Sequence, residues 1–253
     1  MNLKNKITIL ITFWNTPKII FENCLRAAAA LNFDIIIVND QSDKKYYNEL
    51  LEIVKNISFE NEDIEITILT PPEKRMQEGA TYYGLEFIST PYVIRIDSDD
   101  YIESLPNLPD NWEEYDIINT RKLFAKNINE FYNTKTYTNL NGLIVKRDIF
   151  LFAYSDWRWL NNYHCIYPED TFTWAKLFLL KPNLKIHSIY ETQIYFANKL
   201  ARQFKCKTTH ESRQIITQGK KFKRIEVLLT IMILYNLPKE IYIQASKKIL
   251  LKG

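Results

Sequence analysis

The sequence is poor in the residues that build flexible or cross-linked chains. Only 5 of its 253 residues are glycine and no internal repeat is visible, which excludes Gly-rich linkers and low-complexity arms. Its three cysteines, Cys24, Cys165 and Cys206, are odd in number and far apart. This disfavours a disulfide framework or a zinc site and favours reduced thiols in a cytoplasmic protein. The 46% of hydrophobic residues still suffices for a globular core in one large or two small domains.

Long apolar runs and the standard phosphate-binding glycine motifs are also missing. The first apolar run, 7–14, is too short for the core of a signal peptide, and no run reaches the roughly 18 apolar residues of a transmembrane helix. No G-x-G-x-x-G follows the first predicted strand, and no Walker lysine motif appears. These absences disfavour a membrane-spanning protein, a Rossmann dinucleotide enzyme and a P-loop ATPase.

The formal net charge of +3 conceals an uneven distribution of charge. Residues 199–253 carry 13 Lys and Arg against 3 Asp and Glu, a net of +10, which leaves a net of −7 on the remainder. An acidic body with a basic tail predicts that the tail faces an anionic partner, such as membrane lipid, nucleic acid or an acidic substrate. The alternative is an ordinary solvated surface.

The hydrophobic pattern of the first hundred residues alternates between strand and helix. The predicted strands are 7–12, 34–38, 64–69 and 92–96, and the predicted helices are 18–31, 46–57 and 77–88. This alternation predicts an α/β fold with a Rossmann-like, mostly parallel sheet and flanking helices. Polar residues follow three of these strands, at 12–15, 39–43 and 97–100. Because the ends of parallel strands meet at one edge, a crevice of nucleotide size is expected there.

After residue 101 the pattern loosens into shorter elements. Short strands are predicted at 116–119, 132–137 and 143–145, and helices at 146–150 and from about 169 to 180. The intervening segment 154–167 is dense in aromatic residues. Its Trp157 and Trp159 suit either a core or a sugar-stacking surface.

The strand over 92–96 ends in three carboxylates within four positions, Asp97, Asp99 and Asp100. Carboxylates this close repel one another unless a cation lies between them. Hard oxygen ligands suit Mg²⁺ or Mn²⁺, which proteins commonly share with substrate phosphates. The pattern predicts a divalent-metal site, whereas the simpler alternative is an acidic turn with an Asp capping a helix.

The order of these motifs resembles that of the inverting, GT-A-fold nucleotide-sugar glycosyltransferases of family 2, over residues 7–180. Each motif is weak alone, and only the order and spacing together are specific. The matching segments are Trp14-Asn15, Val38-Asn39-Asp40-Gln41-Ser42-Asp43, Gly79-Ala80-Thr81-Tyr82-Tyr83-Gly84, Ile96-Asp97-Ser98-Asp99-Asp100 and Glu169-Asp170-Thr171.

The resemblance implies roles for individual residues. Asp40 would hydrogen-bond the nucleotide base, Asp97 would face the ribose or the metal, and Asp99 would bind the Mn²⁺ or Mg²⁺ that bridges the donor diphosphate. Asp170 would be the general base for the acceptor hydroxyl, with Glu169 orienting it. The other residues expected to contact the donor are Thr12, Trp14, Asn15, Arg75, Gly79 and Ser98.

The sequence departs from the family pattern at three places. Gln41 replaces the Gly of the usual Asp-Gly-Ser turn. The usual Ala-Arg-Asn is replaced around Thr81, which leaves Arg75 as the nearby arginine to help with phosphate. A histidine that often joins the metal has only His187 and His210 as candidates, neither at a matching spacing.

The resemblance implies a metal-dependent inverting glycosyltransferase that moves a sugar from a nucleotide-diphosphate donor, expected to be a UDP-sugar, to a saccharide or glycoconjugate hydroxyl. The catalytic domain would span 1–198, with a nucleotide-sugar half at 1–103 and an acceptor half at 104–198. Simpler alternatives are Asp40 as a turn former and Glu169-Asp170 as charges that favour a helix N-terminus. Alternative functions are a catalytically silent sugar- or nucleotide-binding module, a nucleotidyltransferase, and a glycosyltransferase acting on modified nucleic acid.

Residues 199–253 are predicted to form a basic, helical C-terminal extension. The basic cluster 220–224 precedes the apolar stretch 225–237, a pattern typical of an interfacial helix. It predicts peripheral attachment to an anionic membrane surface, at the inner face. The alternative is a helical hairpin packed on the catalytic domain, and nucleic acid binding is disfavoured because no regular basic groove is evident.

Overall fold

Four parallel strands form the first half of the main sheet in this computed structural model. The strands are β1 (Ile7–Phe13), β2 (Asp34–Asn39), β3 (Ile66–Leu69) and β4 (Tyr92–Asp97), and the helices between them are α1 (Lys18–Ala30), α2 (Lys44–Glu60) and α3 (Met76–Glu86). β1 pairs with β2 on one side and β4 on the other, and β2 pairs with β3. All seven residues of β1 are buried, as its apolar sequence requires for a central parallel strand. The predicted strand–helix alternation is confirmed.

Shorter strands and two further helices follow, and three of these strands extend the main sheet to seven. They are β5 (Asp100–Ile102), β6 (Ile117–Asn119), β7 (Ile144–Lys146), α4 (Arg147–Tyr154), α5 (Glu169–Leu180), β8 (Ile186–Ser188) and β9 (Tyr195–Ala197). The order of the main sheet is β3-β2-β1-β4-β7-β6-β8, in which β7 runs antiparallel to both neighbours. β5 and β9 form a separate antiparallel pair. The predicted α/β class with a mostly parallel sheet and flanking helices is therefore confirmed.

The structure describes residues 3–102, 104–105, 107–119, 141–159, 169–189, 195–197, 231 and 233–238. The predicted strand 132–137, His210 and most of the basic tail lie outside these residues. So do the side chains of Glu169 and Asp170, although both residues belong to α5.

Each face of the main sheet carries a hydrophobic core. Ile7, Ile9 and Ile11 of β1 pack with the buried residues of α1 and α2. Leu10, which points to the other face, packs with residues of α3, α4 and α5. At Gly84 of α3, an added Cβ would collide with the Leu10 side chain and lie 2.7 Å from Val38 Cγ2. The absence of a side chain at Gly84 therefore sets how closely α3 approaches the sheet.

The Gly84→Ala variant is expected to lower the free energy of unfolding by about 1–3 kcal/mol, because the extra methyl overpacks the contact with β1 and β2. Urea denaturation measures this change. Glu86→Ala on the exposed side of the same helix is the control, and its effect should stay within about 0.5 kcal/mol. Equal stability of the two variants would contradict the packing of α3 described above.

The carboxyl ends of β1, β2 and β4 meet at one edge of the sheet. Thr12 is the register partner of Asp97 in β4, and Phe13 is the register partner of Asn39 in β2. Chain order reverses between β1 and β4, with β2 and β3 on one side and β4 on the other. Open α/β sheets bind ligands at such a switch point. The loops after these three strands therefore border one crevice, as predicted.

One described part of the tail packs against the core of the α/β fold. Ile231 is fully buried in the core that contains α3, α4 and α5. The Tyr235 hydroxyl donates a hydrogen bond to Asp156, and the buried Lys176 ammonium lies 5.4 Å from the Tyr235 ring. The neighbouring Ile233 is 79% exposed. Within the described part of the chain, no helix has both the length and the apolar character needed to cross a membrane.

Candidate active site

Asp40 borders the crevice at the carboxyl end of β2. It is 3% exposed, and its Oδ1 accepts a hydrogen bond of 2.6 Å from the backbone N–H of Arg75. Burial raises the pKa of the Asp40 carboxyl, and backbone amides of Arg75 and Met76 together with the charges of Lys74 and Arg75 oppose that rise. Asp40 thereby ties the loop before α3 to the end of β2.

The turn after β2 contains Gln41, one of the departures from the family pattern. Gln41 has a φ of 56°, in the left-handed region that glycine adopts without strain. Its Nε2 donates a hydrogen bond of 2.5 Å to the carbonyl oxygen of Pro71. The backbone N–H of Asn15 donates to Ser42 Oγ, and the Asn15 side chain exchanges two hydrogen bonds with Asp43. The loops after β1 and β2 therefore form one connected wall.

Three carboxylates meet beyond the end of β4. Asp97, Asp99 and Asp100 can each offer an oxygen within 4.8 Å of the others. Asn141 Nδ2 donates to Asp97 Oδ2 at 2.8 Å and to Asp100 Oδ2 at 2.7 Å, while Asp97 and Asp99 stay partly exposed. The Arg95 guanidinium pairs with Asp97 of this cluster at 2.7 Å. The donor set fits a divalent cation with oxygen ligands.

Three elements fix the carboxylate of Asp97. Its Oδ1 accepts hydrogen bonds from Arg95 Nη2 at 2.7 Å and from Gln77 Nε2 of α3 at 2.6 Å. Arg95 is 1% exposed within β4, and its Nη1 donates at 3.0 Å to the hydroxyl of Tyr154 at the end of α4. The backbone N–H of Asp97 also donates to Asn141 Oδ1. The orientation of Asp97 is therefore set before any ligand arrives.

Ser98 is held from the opposite side of the strand end. Its hydroxyl lies 2.6 Å from the hydroxyl of Thr16, in a buried contact. The thiol of Cys24 in α1 lies against the carbonyl oxygen of Asp97 at 3.7 Å. Burial, followed by the charges of Asp100 and the other two carboxylates of the cluster, raises the pKa of Cys24 well above its usual value. Cys24 therefore stays a protonated, structural thiol.

A cavity of about 550 Å³ lies where these loops meet. Its walls include seven of the predicted site residues: Thr12, Trp14, Asn15, Asp40, Asp97, Ser98 and Asp99. The volume falls in the range of small-molecule sites.

Arg75 and Gly79, also predicted to contact the donor, lie outside the cavity wall formed by the described residues. The Arg75 guanidinium lies between two rings, 4.7 Å from the centroid of Tyr83 and 5.1 Å from that of Trp157. A Cβ at Gly79 would lie 2.5 Å from Trp157, so this glycine lets α3 pack on the indole. Through its backbone N–H, Arg75 still binds Asp40.

His187 is not brought to the acidic cluster. It lies in β8, at the edge of the main sheet and three strands from β4. Its ring packs against Tyr115, with 4.7 Å between the ring centroids. His187 thus offers no metal ligand near Asp97.

The sequence pattern of the family described as "Glycosyl transferase family 2" matches residues 8–176, which include the cavity wall and the acidic cluster. The chain belongs to glycosyl transferase family 2. The resemblance read from its motifs is confirmed. No curated protein sequence matches this chain.

Solved structures share the fold of this family 2 chain at low sequence identity. S. aureus TarS 1–349 in complex with UDP aligns with a TM-score of 0.56 and 14% identity over 97% of this chain and 70% of that one. The TarS 1–349 complex with UDP-GlcNAc gives 0.51 and 15% over 76% of this chain, which spans 58% of that one. Mannosyltransferase PcManGT from Pyrobaculum calidifontis, with GDP-Man and Mn²⁺, gives 0.50 and 11% over 98% of this chain and 81% of that one. These structures confirm the predicted GT-A fold.

Several residues of the candidate site were missed by sequence reasoning. Asn141 belongs to an Asn-Leu-Asn-Gly segment that reads only as a turn, and nothing in the sequence links it to Asp97, 44 positions earlier. Gln77 and Lys74 are ordinary surface residue types at the start of a helix. Arg95 gave one usable signal, because a charged residue inside an apolar strand requires a buried partner.

Proposed function

We propose that this chain is a metal-dependent inverting glycosyltransferase that transfers a sugar from a nucleoside-diphosphate sugar to a hydroxyl of a saccharide or glycoconjugate. The observation that carries this proposal is the shared cavity of about 550 Å³, whose wall holds Asp40 just after β2 and the carboxylates Asp97 and Asp99 at the end of β4. The Asp40 end of the cavity can bind a nucleotide base, and the Asp97 and Asp99 end can bind a cation together with the donor diphosphate. Membership of family 2 supports the reaction class.

Asp97 and Asp99 would hold the Mn²⁺ or Mg²⁺, with Asp100 behind them. When bound, such an ion supplies Lewis-acid neutralisation of the diphosphate leaving group. The chain's own contribution is orientation, since Arg95, Gln77 and Asn141 hold Asp97 in one position. The Mn²⁺ in the PcManGT complex supports a metal of this kind.

Asp40 would select the base. A carboxylate can accept the ring N–H of uracil, or the ring N–H and amino group of guanine, whereas cytosine and adenine present an acceptor nitrogen at the matching position. The UDP and UDP-GlcNAc bound to TarS, and the GDP-Man bound to PcManGT, carry these two bases. A UDP-sugar is the preferred donor in this proposal.

Asp170 would be the general base, with Glu169 orienting it or the acceptor. In the reaction, the acceptor oxygen forms a bond to the anomeric carbon as the bond to the diphosphate oxygen breaks. The acceptor proton passes to Asp170, and one such displacement inverts the anomeric centre. Glu169 and Asp170 are the first two residues of α5. Because Trp174 and Lys176 of this helix are buried in the core, α5 is a rigid support for its N-terminal residues.

The direct test is an assay of released nucleotide with UDP-, GDP-, ADP- and CDP-sugars, each with Mn²⁺. We expect nucleoside diphosphate to be released from UDP- or GDP-sugars and not from the other two. Pyrophosphate as the product would instead identify a nucleotidyltransferase. Tight nucleotide binding without turnover for any donor and acceptor would identify a silent binding module.

We also propose that the tail attaches to an anionic membrane surface. Changing Lys220, Lys221, Lys223 and Arg224 to Ser should greatly reduce co-sedimentation with anionic vesicles, because each basic residue near such a surface contributes about 1 kcal/mol. Binding by the unchanged protein should weaken steeply with salt. The exposed Ile233 beside the buried Ile231 supports a second, outward apolar face on this segment.

The matched control for the tail changes four lysines elsewhere on the surface, Lys44, Lys55, Lys181 and Lys185, to Ser. This control removes the same charge and should retain most vesicle binding. Binding that ignores both salt and the tail substitutions would rule out the electrostatic attachment.

A further inference from the structure

We infer that Lys74 is a phosphate-binding residue of the donor site, whose ammonium lies over Trp14 until a nucleotide base takes that place. The inference deepens the proposed function and rests on it. It concerns a residue for which neither the sequence nor the family resemblance indicated a role.

The position of Lys74 is the first observation. Its Nζ lies 3.6 Å from the centroid of the Trp14 ring, and both side chains line the cavity with Asp40. Trp14 is 54% exposed, so its ring is an available platform beside the carboxylate that would bind the base. Stacking of a base on such a ring is stronger than the cation–π contact of an exposed ammonium with the same ring. A base that binds Asp40 and stacks on Trp14 would therefore displace the Lys74 ammonium.

The charge of the cavity is the second observation. Its wall carries the carboxylates Asp40, Asp97 and Asp99, and Lys74 is the one Lys or Arg in that wall among the described residues. A nucleoside diphosphate brings at least two further negative charges into this acidic site. The bound metal offsets part of that repulsion, and a mobile cation in the wall would offset more.

The two arginines nearest the site are committed to other partners. Arg75 lies between Tyr83 and Trp157, and Arg95 pairs with Asp97 and donates to Tyr154. Lys74 differs from both because it is exposed and its side chain has four rotatable carbons. It can leave the ring face and follow the phosphates without disturbing a buried pair. Lys74 thus takes the phosphate role for which the sequence had indicated its neighbour Arg75.

The experiment compares a nucleoside with its diphosphate. Calorimetry with Mn²⁺ would measure the affinities of uridine and UDP, and of guanosine and GDP, for wild type, Lys74→Gln and Lys74→Arg. In Lys74→Gln we expect the diphosphate to bind about tenfold more weakly, while the nucleoside binds as in wild type or slightly tighter. Lys74→Arg, which keeps the charge, should restore most of the diphosphate affinity.

Lys45→Gln is the matched control. Lys45 lies 5.6 Å from the ring of Tyr46, a residue of the cavity wall, but is not itself part of that wall. Its loss removes the same charge near the site and should change diphosphate affinity less than about twofold.

Three results would overturn the inference. If Lys74→Gln binds nucleoside and diphosphate equally more weakly, Lys74 contacts the base. If it binds both more tightly, Lys74 only competes with the base for Trp14. If both affinities are unchanged, Lys74 has no role in binding. If wild type binds neither UDP nor GDP, the proposed function fails and takes this inference with it. A wild type that binds nucleotide, with any of the three results above, overturns the inference alone.

Discussion

The Asp99→Asn variant should lose Mn²⁺ affinity by about 100-fold or more, and with it the Mn²⁺-supported binding of nucleoside diphosphate. Asp97 and Asp99 both line the cavity and are partly exposed, whereas Asp100 is buried. Asp99 is therefore placed to reach an ion in the cavity. An amide of the same shape keeps the packing but has lost the charge that a divalent ion requires.

Stability without metal gives a second measurement on the same variant. Three carboxylates within 4.8 Å repel one another, so removing one charge should leave the melting temperature of the metal-free protein unchanged or slightly raised. Wild type should gain stability from Mn²⁺, and Asp99→Asn should not. This pattern separates loss of a ligand from general damage to the fold.

The control for Asp99 is Asp63→Asn, an exposed carboxylate between α2 and β3 at the other end of the strands. It should bind Mn²⁺ as wild type does, measured by electron paramagnetic resonance of the free ion. Wild-type Mn²⁺ affinity in Asp99→Asn would show that the acidic cluster is not the metal site.

The parallel half of the sheet could be predicted because its central strands, β1 and β4, are buried on both faces. A strand in that position must be apolar nearly throughout, and β1 and β4 show this directly in the sequence. The meeting of Asp40 with Asp97 and Asp99 then followed from topology, because parallel strands end at the same edge. The ends of the elements were predicted less well. The helix predicted at 46–57 is α2, which begins at Lys44 and ends at Glu60, and its additional terminal residues do not continue the apolar periodicity.

The side chains that complete the site could not be predicted in the same way. Lys74 and Arg75 are neighbours of similar charge, yet one faces the cavity and the other lies between two aromatic rings. Met76 has a φ of 59°, and this left-handed residue redirects the chain from the loop into α3. A left-handed residue at this point changes which of Lys74 and Arg75 faces the cavity. Because Met76 is not a glycine, the sequence does not indicate the left-handed conformation.

The Asp170→Asn variant is expected to lower kcat for sugar transfer by about 100-fold or more, with the Kd for donor unchanged. A sugar hydroxyl is a weak nucleophile until a base takes its proton, and an amide cannot accept that proton. Asp170 is the second residue of α5. The proposed displacement requires this proton transfer, so the loss should appear in the chemical step and not in binding.

The measurement for Asp170 combines transfer rates with calorimetric donor binding, because an enzyme and a silent module can both bind donor and only the transfer rate separates them. Glu169→Gln, one position earlier on the same turn, is the comparison and should cost less, since an orienting residue does not itself take the proton. Asp170→Asn that transfers sugar as fast as wild type would show that a residue other than Asp170 is the general base. A donor Kd that weakens in step with kcat would instead make Asp170 part of the donor site, because a residue acting only on the acceptor proton cannot change the affinity for a donor it does not touch.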